Sequence, residues 1–494
     1  MSAEALPLRR MVYALLVVVA AGALAGRILS VERVYEPSIS RKPSDPESGW
    51  SQVWPAEKPE PTPTFSSNDR SRWATVRALV DEGHYWIGYR EFDPEGGFTD
   101  RGFVITEPSW FTIDKVLDPN TGKFYSSKPP LLATMMAGEY WLLKHLFGCD
   151  IATRPWPVVL VGLFTANWLP LVVYLILLAR LVERFGTTDW GRLFVLAAGC
   201  FATLPTAFAV TFNNHTIAAC SALFALYAAL SIDPHAHGWQ PVVFALAGFF
   251  AAFAACCEMP ATALAVAIFV FLLVRSPKQT LLFSLPAALV PVGAYFITNY
   301  LAVGELLPVQ TNILSPWYQF EGSNFKFDPN KINTSIDRLD EPKAVYAFHL
   351  LLGHHGLFSL TPIWLLALGG TFIGIARMMR AGPVRAVLRG EERDELALFA
   401  ALALVLTVVV VTFYIFKTNN YGGWTNGPRW LMWLTPLLLL ALLPAADGLA
   451  NGRWTRAVGY VLLAMSVLAV SYRDWNPWRH PWVYNWMQSM GLGY

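Results

Sequence analysis

The sequence predicts an all-α polytopic membrane protein with about eleven transmembrane helices, and three observations carry that expectation. Hydrophobic residues make up 54% of the 494-residue chain and charged residues only 15%, against about a quarter charged in soluble proteins. From Trp156 onward, apolar runs follow one another with short polar breaks. Aromatic residues reach 14%, with twenty tryptophans, as suits a chain that crosses many bilayer interfaces. A net charge of +2 supplies no basic field for nucleic acid. The five cysteines lie mostly in apolar runs, without the paired spacing of a zinc site or a disulfide framework, and read as buried thiols.

Residues 1–30 read as an N-terminal anchor. The run Met11 to Ser30 follows Arg9 and Arg10, and its length of about twenty residues exceeds the roughly 7–15 of a signal-peptide core, so a retained helix is expected. Residues 31–155 form an extracytoplasmic loop. It begins with KPSDPESGWSQVWPAEKPEPTPTF, a proline-rich polar segment suited to an extended linker. In the next stretch, NDRSRWATVRALVDEG, residues Trp73, Val76, Leu79 and Val80 share one helical face. The spacing predicts an amphipathic helix over 68–82, capped by Asn68 or Asp69, ended by Gly83 and lying in the interface. SSKPPLLATMMAGEYWLLKHLFG predicts a second surface helix over 129–147.

Six spans are expected in 156–302: 156–181, 193–212, 215–232, 240–256, 259–274 and 280–302. A second extracytoplasmic loop, 303–355, holds the polar insert Gly304 to Lys343. Four more spans, 356–376, 395–416, 430–446 and 456–472, fill 356–472. The tail, 473–494, carries Trp475, Trp478, Trp482 and Trp486 and reads as an interfacial anchor.

Whether the 126–148 segment crosses decides the sidedness of everything after it. If it stays on the surface, one side receives Arg9, Arg10, Arg184, Arg192, Arg275, Lys278, Arg377, Arg380, Arg385, Arg389, Arg393, Arg453 and Arg456. That is the positive-inside pattern, with the N-terminus cytoplasmic. If it crossed, all but the N-terminal pair would move outside. The surface position is therefore expected, with a helix N-terminus beside Lys128 at the outer face.

That topology gathers the unusual polar stretches on one side: NDR, SSKPP, FNNHT, CEMP, GHHG and NNYGGWTNGPRW. Titratable groups at membrane depth are costly and by default functional. Asp69 reads either as a helix cap or as a carboxylate taking a proton from a substrate hydroxyl. Lys128 reads as a snorkelling lysine or a phosphate ligand at a helix N-terminus. Arg429, after Pro428, is a headgroup anchor or a bidentate phosphate ligand. His215 and Asn214 open a helix, where capping accounts for the asparagine more readily than for the histidine; Glu258 is a turn residue or a ligand; and His354 and His355 open a span, in contact with substrate or metal or as interfacial histidines.

The ordered set resembles the GT-C polytopic glycosyltransferases, and within them the branch of protein O-mannosyltransferases and lipid A aminoarabinose transferases. SSNDRSRWATVRALVDEGHYWI with YSSKPPLLATMMAGEYWLLKHLFG carries the resemblance, and NNYGGWTNGPRWLMWLTP is similar to the family's late Gly-Pro-Arg segment. The resemblance implies a GT-C-like fold, Asp69 as catalytic base or metal-positioning carboxylate, Lys128 near the lipid phosphate and Arg429 as a further phosphate contact. It allows a divalent cation, magnesium or manganese, as cofactor. Three departures put the metal in question: the family's frequent Asp-Glu pair is Asp69-Arg70 here, Asn214-His215 replaces an aspartate, and Glu258 replaces a frequently basic residue.

The expected activity is transfer of a hexosyl or pentosyl group from a polyprenyl-phosphate-linked donor to a glycan, lipid or protein hydroxyl at the outer face of a bacterial inner membrane, with inversion. Asp69 would take the acceptor proton, while Lys128, Arg429 and His355 would meet the departing phosphate. Asn214, His215, Glu258 and His354 stand as possible metal or substrate contacts. The alternative is a transporter or flippase for a lipid-linked or small polar substrate; such proteins often carry internal repeats and place polar groups at several depths, and no convincing repeat is present.

Overall fold

The computed structural model describes residues 5–31, 42–43, 52–53, 62–64, 66–233, 238–326 and 341–492. Most of the proline-rich linker and residues 327–340 of the polar insert lie outside them. Among the described residues, seven helices are long and apolar enough to cross a bilayer: α1 (Pro7–Leu29), α4 (Pro155–Phe185), α5 (Asp189–Phe208), α9 (Pro277–Val303), α11 (Glu392–Lys417), α12 (Arg429–Leu449) and α13 (Arg453–Ser471). Three shorter apolar helices stand among them: α6 (Asn214–Leu230), α7 (Pro241–Cys257) and α8 (Met259–Arg275). The expected span at 356–376 is a short turn, Leu357–Leu360, followed by α10 (Trp364–Ala381). The five thiols are free; Cys200, Cys220 and Cys257 are buried, and Cys149 and Cys256 half-buried.

Two surface helices precede the bundle. α2 (Ser67–Arg77) continues through a wider turn, Ala78–Glu82, and stops at Gly83 in the left-handed conformation, φ 77°. The cap differs from expectation. Ser66 is the N-cap, accepting from the Asn68 and Asp69 N–H groups, while Asp69 at the third position reaches back to the Ser66 N–H. This is a reciprocal capping box. The helix also lacks the free polar face of an interfacial helix: Asn68, Asp69, Ser71 and Arg72 are buried along with Trp73 and Val76. α3 (Pro130–Phe147) packs Leu132, Met136 and Tyr140 inward and exposes Met135, Trp141, Leu142 and Leu146. It is not among the helices of spanning character.

An all-α outer loop was expected; between α2 and α3 lies a four-stranded antiparallel sheet. Its strands are β1 (Gly88–Phe92), β2 (Phe98–Arg101), β3 (Lys115–Leu117) and β4 (Lys123–Ser126), in the order β2-β1-β4-β3. The strands are too short to show periodicity over an apolar background, yet their turns are spelled out. Asp93-Pro94-Glu95-Gly96-Gly97 closes the first hairpin, with Gly96 at φ 90°. In Asp118-Pro119-Asn120-Thr121-Gly122, Asp118 accepts from the Asn120 N–H at 2.9 Å and the Thr121 hydroxyl at 2.6 Å. The polar insert packs on this sheet: the Leu117 N–H donates to the Trp317 carbonyl at 3.0 Å and Arg90 to the Glu321 carbonyl at 2.9 Å.

The bundle has two chemically different ends. Arg9 reaches Glu183 and Asp189, Arg184 reaches Glu392 and Glu395, and Arg275 also meets Glu395. At the other end Arg27 donates to the Thr206 carbonyl at 2.9 Å and pairs with Asp474 at 3.4 Å, and the tail folds back over this end. Of the tail tryptophans, Trp482 and Trp486 are exposed, as an interfacial anchor requires, but Trp478 is buried against Phe208 and the Arg429 guanidinium.

Candidate functional site

The site at the Arg27 end begins with the β3–β4 hairpin. Its register pairs Lys115 with Ser126, so the next residues outward, Asp114 and Ser127, are also opposed, and the Ser127 N–H donates to the Asp114 carbonyl at 3.0 Å. Lys128 comes one position later, and its Nζ reaches Asp114 Oδ1 at 2.6 Å. Pro129 and Pro130 then start α3 with no side-chain cap. α2 holds the hairpin by an i, i+4 pair. Ser67 Oγ accepts from the Ile113 and Asp114 N–H groups at 2.7 and 2.9 Å, and Ser71 Oγ donates to the Asp114 carbonyl at 2.6 Å.

The neighbouring i, i+4 pair of α2 points into the helix bundle. Arg72 donates to Asn68 Oδ1 and, across 142 residues of sequence, to Asn214 Oδ1 at 2.5 Å. Asn214 turns its amide nitrogen to Glu258 Oε2 at 2.8 Å and to the Cys257 carbonyl at 2.9 Å. His215 Nδ1 shares the same carboxylate oxygen at 2.5 Å, and its Nε2 meets the Arg429 guanidinium. Arg429 Nε donates to the Gly422 carbonyl at 2.9 Å. Gly422 lies at φ 94°, and an added side chain there would press on Arg429 itself. The chain Arg72–Asn214–Glu258–His215–Arg429 thus ties the α2 region to the starts of α6 and α12 and to the α7–α8 junction.

Charge in this cluster is unbalanced. Burial and the positive charge of Arg429 pull the Arg72 guanidinium down to about 10, still protonated at neutral pH. Burial also lowers Lys128, opposed by Asp114 and reinforced by Arg72 and Arg429. Burial alone would raise Asp114, but the Lys128 ammonium overrides it and holds the carboxyl below its usual range. Glu258 moves the other way: burial pushes it up to about 8 against the pull of Arg429 and Arg72. The Lys128 side chain keeps 18% exposure, and the opening beside it measures about 20 Å³, with Tyr85, Tyr125, Asn299 and Gln310 in its wall. A space of that size holds about one water.

Solved structures with a similar trace include three of one protein. The oligosaccharyltransferase of the archaeon Archaeoglobus fulgidus in its apo form matches with a TM-score of 0.41 and 11% identity over 93% of this chain and 55% of that one. Its complex with Zn and sulfate gives 0.43 and 10% over 95% and 54%, and its complex with an inhibitory peptide and a dolichol-phosphate 0.43 and 11% over 96% and 57%. The present chain spans a little over half the length of that protein. No family model and no curated protein matches the sequence.

Of the residues singled out by sequence, the structure brings Asp69, Lys128, Asn214, His215, Glu258 and Arg429 to one end of the bundle. Asp69 stands there as the capping-box residue, with Oδ1 accepting from the Ser66 N–H at 2.8 Å and the Arg70 N–H at 2.9 Å. His354 and His355 lie instead in a second cluster with His349, His480, Tyr421 and Tyr484; the His349 and His354 rings stack at 4.0 Å, as do His480 and Tyr484 at 3.9 Å. The groups that act on His355 are these histidines and the Thr425 backbone, not Lys128 or Arg429. Burial, and then neighbouring histidines, take His354 down to about 3, so this is a neutral cluster at physiological pH. The two clusters share the 419–429 loop, whose Tyr421 faces the histidines and whose Gly422 holds Arg429.

Asp114 and Arg72 were not picked out from the sequence. Asp114 gains its importance only from the hairpin register. Arg72 carried one available sign, its position four residues after Asn68 on the supposedly solvated face of α2. Among the described residues no group of three or more His, Cys, Asp and Glu side chains is placed to hold a metal ion. The cluster already carries two guanidiniums and an ammonium where a dication would sit, so its residues do not fit a divalent cation.

Proposed function

We propose that this protein is a GT-C-type glycosyltransferase that moves a sugar from a polyprenyl-phosphate-linked donor to an acceptor hydroxyl at the end of the bundle where Lys128, Arg72 and Arg429 meet. The observation that carries this reading is the convergence of three cations from three distant segments, mutually repelling and half enclosed, beside Asp114. A cluster of cations held together in this way matches a phosphate whose hydrocarbon tail stays among membrane helices. The positive-inside pattern sets this end outside a bacterial inner membrane, where residues 31–155 and 303–355 are the outer loops.

In the reaction the acceptor oxygen attacks the anomeric carbon while the bond from that carbon to the phosphate oxygen breaks. The electron pair leaves with the lipid phosphate, where Lys128 Nζ, Arg72 Nη2 and Arg429 Nη1 meet the growing negative charge. The acceptor proton passes to Asp69. A single displacement of this kind inverts the sugar. Asp114 positions Lys128 and keeps it charged, and no step runs through a metal. Because the opening at Lys128 holds about 20 Å³, the insert residues that roof it, Val309 and Gln310, move aside when a sugar enters. A transporter would need ionic groups through the depth of the bundle; the ion pairs among the described residues of its long helices gather at their ends.

The test uses full-length protein in vesicles with labelled polyprenyl-phosphate sugars. Asp69→Asn and Ser66→Ala both weaken the α2 cap, but only the first removes the proton acceptor. Turnover should fall at least about a hundredfold in Asp69→Asn and change little in Ser66→Ala. Equal losses in the two variants would reduce Asp69 to a cap, and failure of any lipid-phosphate sugar to be consumed would remove the reading as a whole.

A further inference from the structure

A wide groove lies at the opposite end of the bundle from this site. About 620 Å³ in volume, it runs between α1 and α4 at the Arg9 end and is lined by Arg10, Ala14, Val18, Ile176 and Arg180, with Tyr13 on its floor. The cause of the gap is local. α1 contacts the bundle through a narrow stripe, Tyr13, Val17, Ala20, Leu24 and Ile28. The Tyr13 hydroxyl is drawn inward to Glu183 at 2.9 Å, and the alanines at 14 and 179 are too small to close the space.

The mouth of the groove carries positive charge that no described carboxylate pairs with. Glu183 is taken up by Arg9 and Tyr13, and Arg184 by Glu392 and Glu395. Arg10 and Arg180 remain. Both are exposed, neither forms an ion pair among the described residues, and the one contact of Arg180 is the Tyr227 hydroxyl at 3.5 Å. An apolar trough with exposed Val18 and Ile176 below two guanidiniums has the chemistry of one ligand class: a lipid with an acyl chain and a single anionic headgroup.

We infer that this groove is a binding site for an anionic glycerophospholipid, whose phosphate bridges Arg10 and Arg180 and whose acyl chain lies along Ala14, Val18 and Ile176. The charge pattern puts this end in the cytoplasmic leaflet, which is rich in such lipids. The site fixes α1, which meets the bundle only through its narrow stripe, against α4. It does not depend on what the opposite end of the molecule catalyses.

The test is native mass spectrometry of the full chain released from vesicles of equal phosphatidylglycerol and phosphatidylcholine. The wild type should retain phosphatidylglycerol preferentially, and Arg10→Gln/Arg180→Gln should lower that retention about tenfold or more. Arg453→Gln/Arg456→Gln, at the same end but outside the groove, should leave it unchanged. Ala14→Leu/Ala179→Leu keeps the charges and fills the trough, and should also expel the lipid. Equal retention of the two lipids by wild type overturns the site, as does an equal loss in the Arg453/Arg456 pair, which would reveal general attraction to the leaflet.

Discussion

The two ends of the helix bundle spend their charges in opposite ways. At the Arg9 end, away from the α1–α4 groove, acid and base between the packed helices are matched: Glu395, 1% exposed, lies between Arg184 and Arg275, and Asp394 meets Arg377. At the Lys128 end, Arg72, Lys128 and Arg429 converge, and Asn214, Glu258 and His215 link Arg72 to Arg429. The first arrangement satisfies itself and ties helices together. The second holds repelling charges close together at an energetic cost, which is the arrangement of a site waiting for an anion.

Breaking a pair at each end separates the two roles. Glu395→Ala strands the buried Arg275 guanidinium and leaves Arg184 with Glu392 alone; it should lower the free energy of unfolding by about 3–5 kcal/mol, read by denaturation in detergent, while transfer per folded molecule stays within about twofold. Lys128→Met should cost about a hundred- to a thousandfold in transfer, while the loss of its pair with Asp114 is partly offset by relief of repulsion from Arg72 and Arg429, so that stability falls less than in Glu395→Ala. A destabilised Lys128→Met protein of full activity would erase the contrast. Asn214→Ala removes the bridge between Arg72 and Glu258 and should slow transfer roughly tenfold to a hundredfold, the worth of a hydrogen bond to a charged group.

The smallest expected effect is a pH slope. Glu258 titrates at about 8 in the folded protein, against 4.5 for an ordinary glutamate. The folded chain therefore holds more protons than the unfolded one between those values. The stability that Glu258 confers is complete below the ordinary carboxylate range and is lost as pH rises through about 8. Melting temperatures should fall across that window in wild type and less steeply in Glu258→Gln. Identical slopes would mean that Arg72 and Arg429 hold Glu258 as an anion.

Much of this layout was legible in the chain because helices advertise themselves by composition. The Gly83 stop of α2 and the Pro-Pro start of α3 are local signals that kept their meaning in the folded molecule, and seven of the eleven expected spans are, among the described residues, helices long and apolar enough to cross. The Ser66 cap was equally local but was overlooked for its acidic neighbours. The outer sheet was harder, since strands of three to five residues leave only their turns to be read.

Sequence by itself determined which segments form long apolar helices and brought most of the polar stretches it singled out to one end, because helix formation and apolar character depend on residues within each segment. Tertiary structure alone decided which side chains meet. The pairing of Asp114 with Lys128 follows from a hairpin register, the Arg72–Asn214 contact from the docking of α2 on α6, and the separation of His355 from Arg429 from the path of a glycine-containing loop. Hydrogen bonds and ion pairs act over a few ångströms between residues far apart in the chain, and no local pattern encodes that distance.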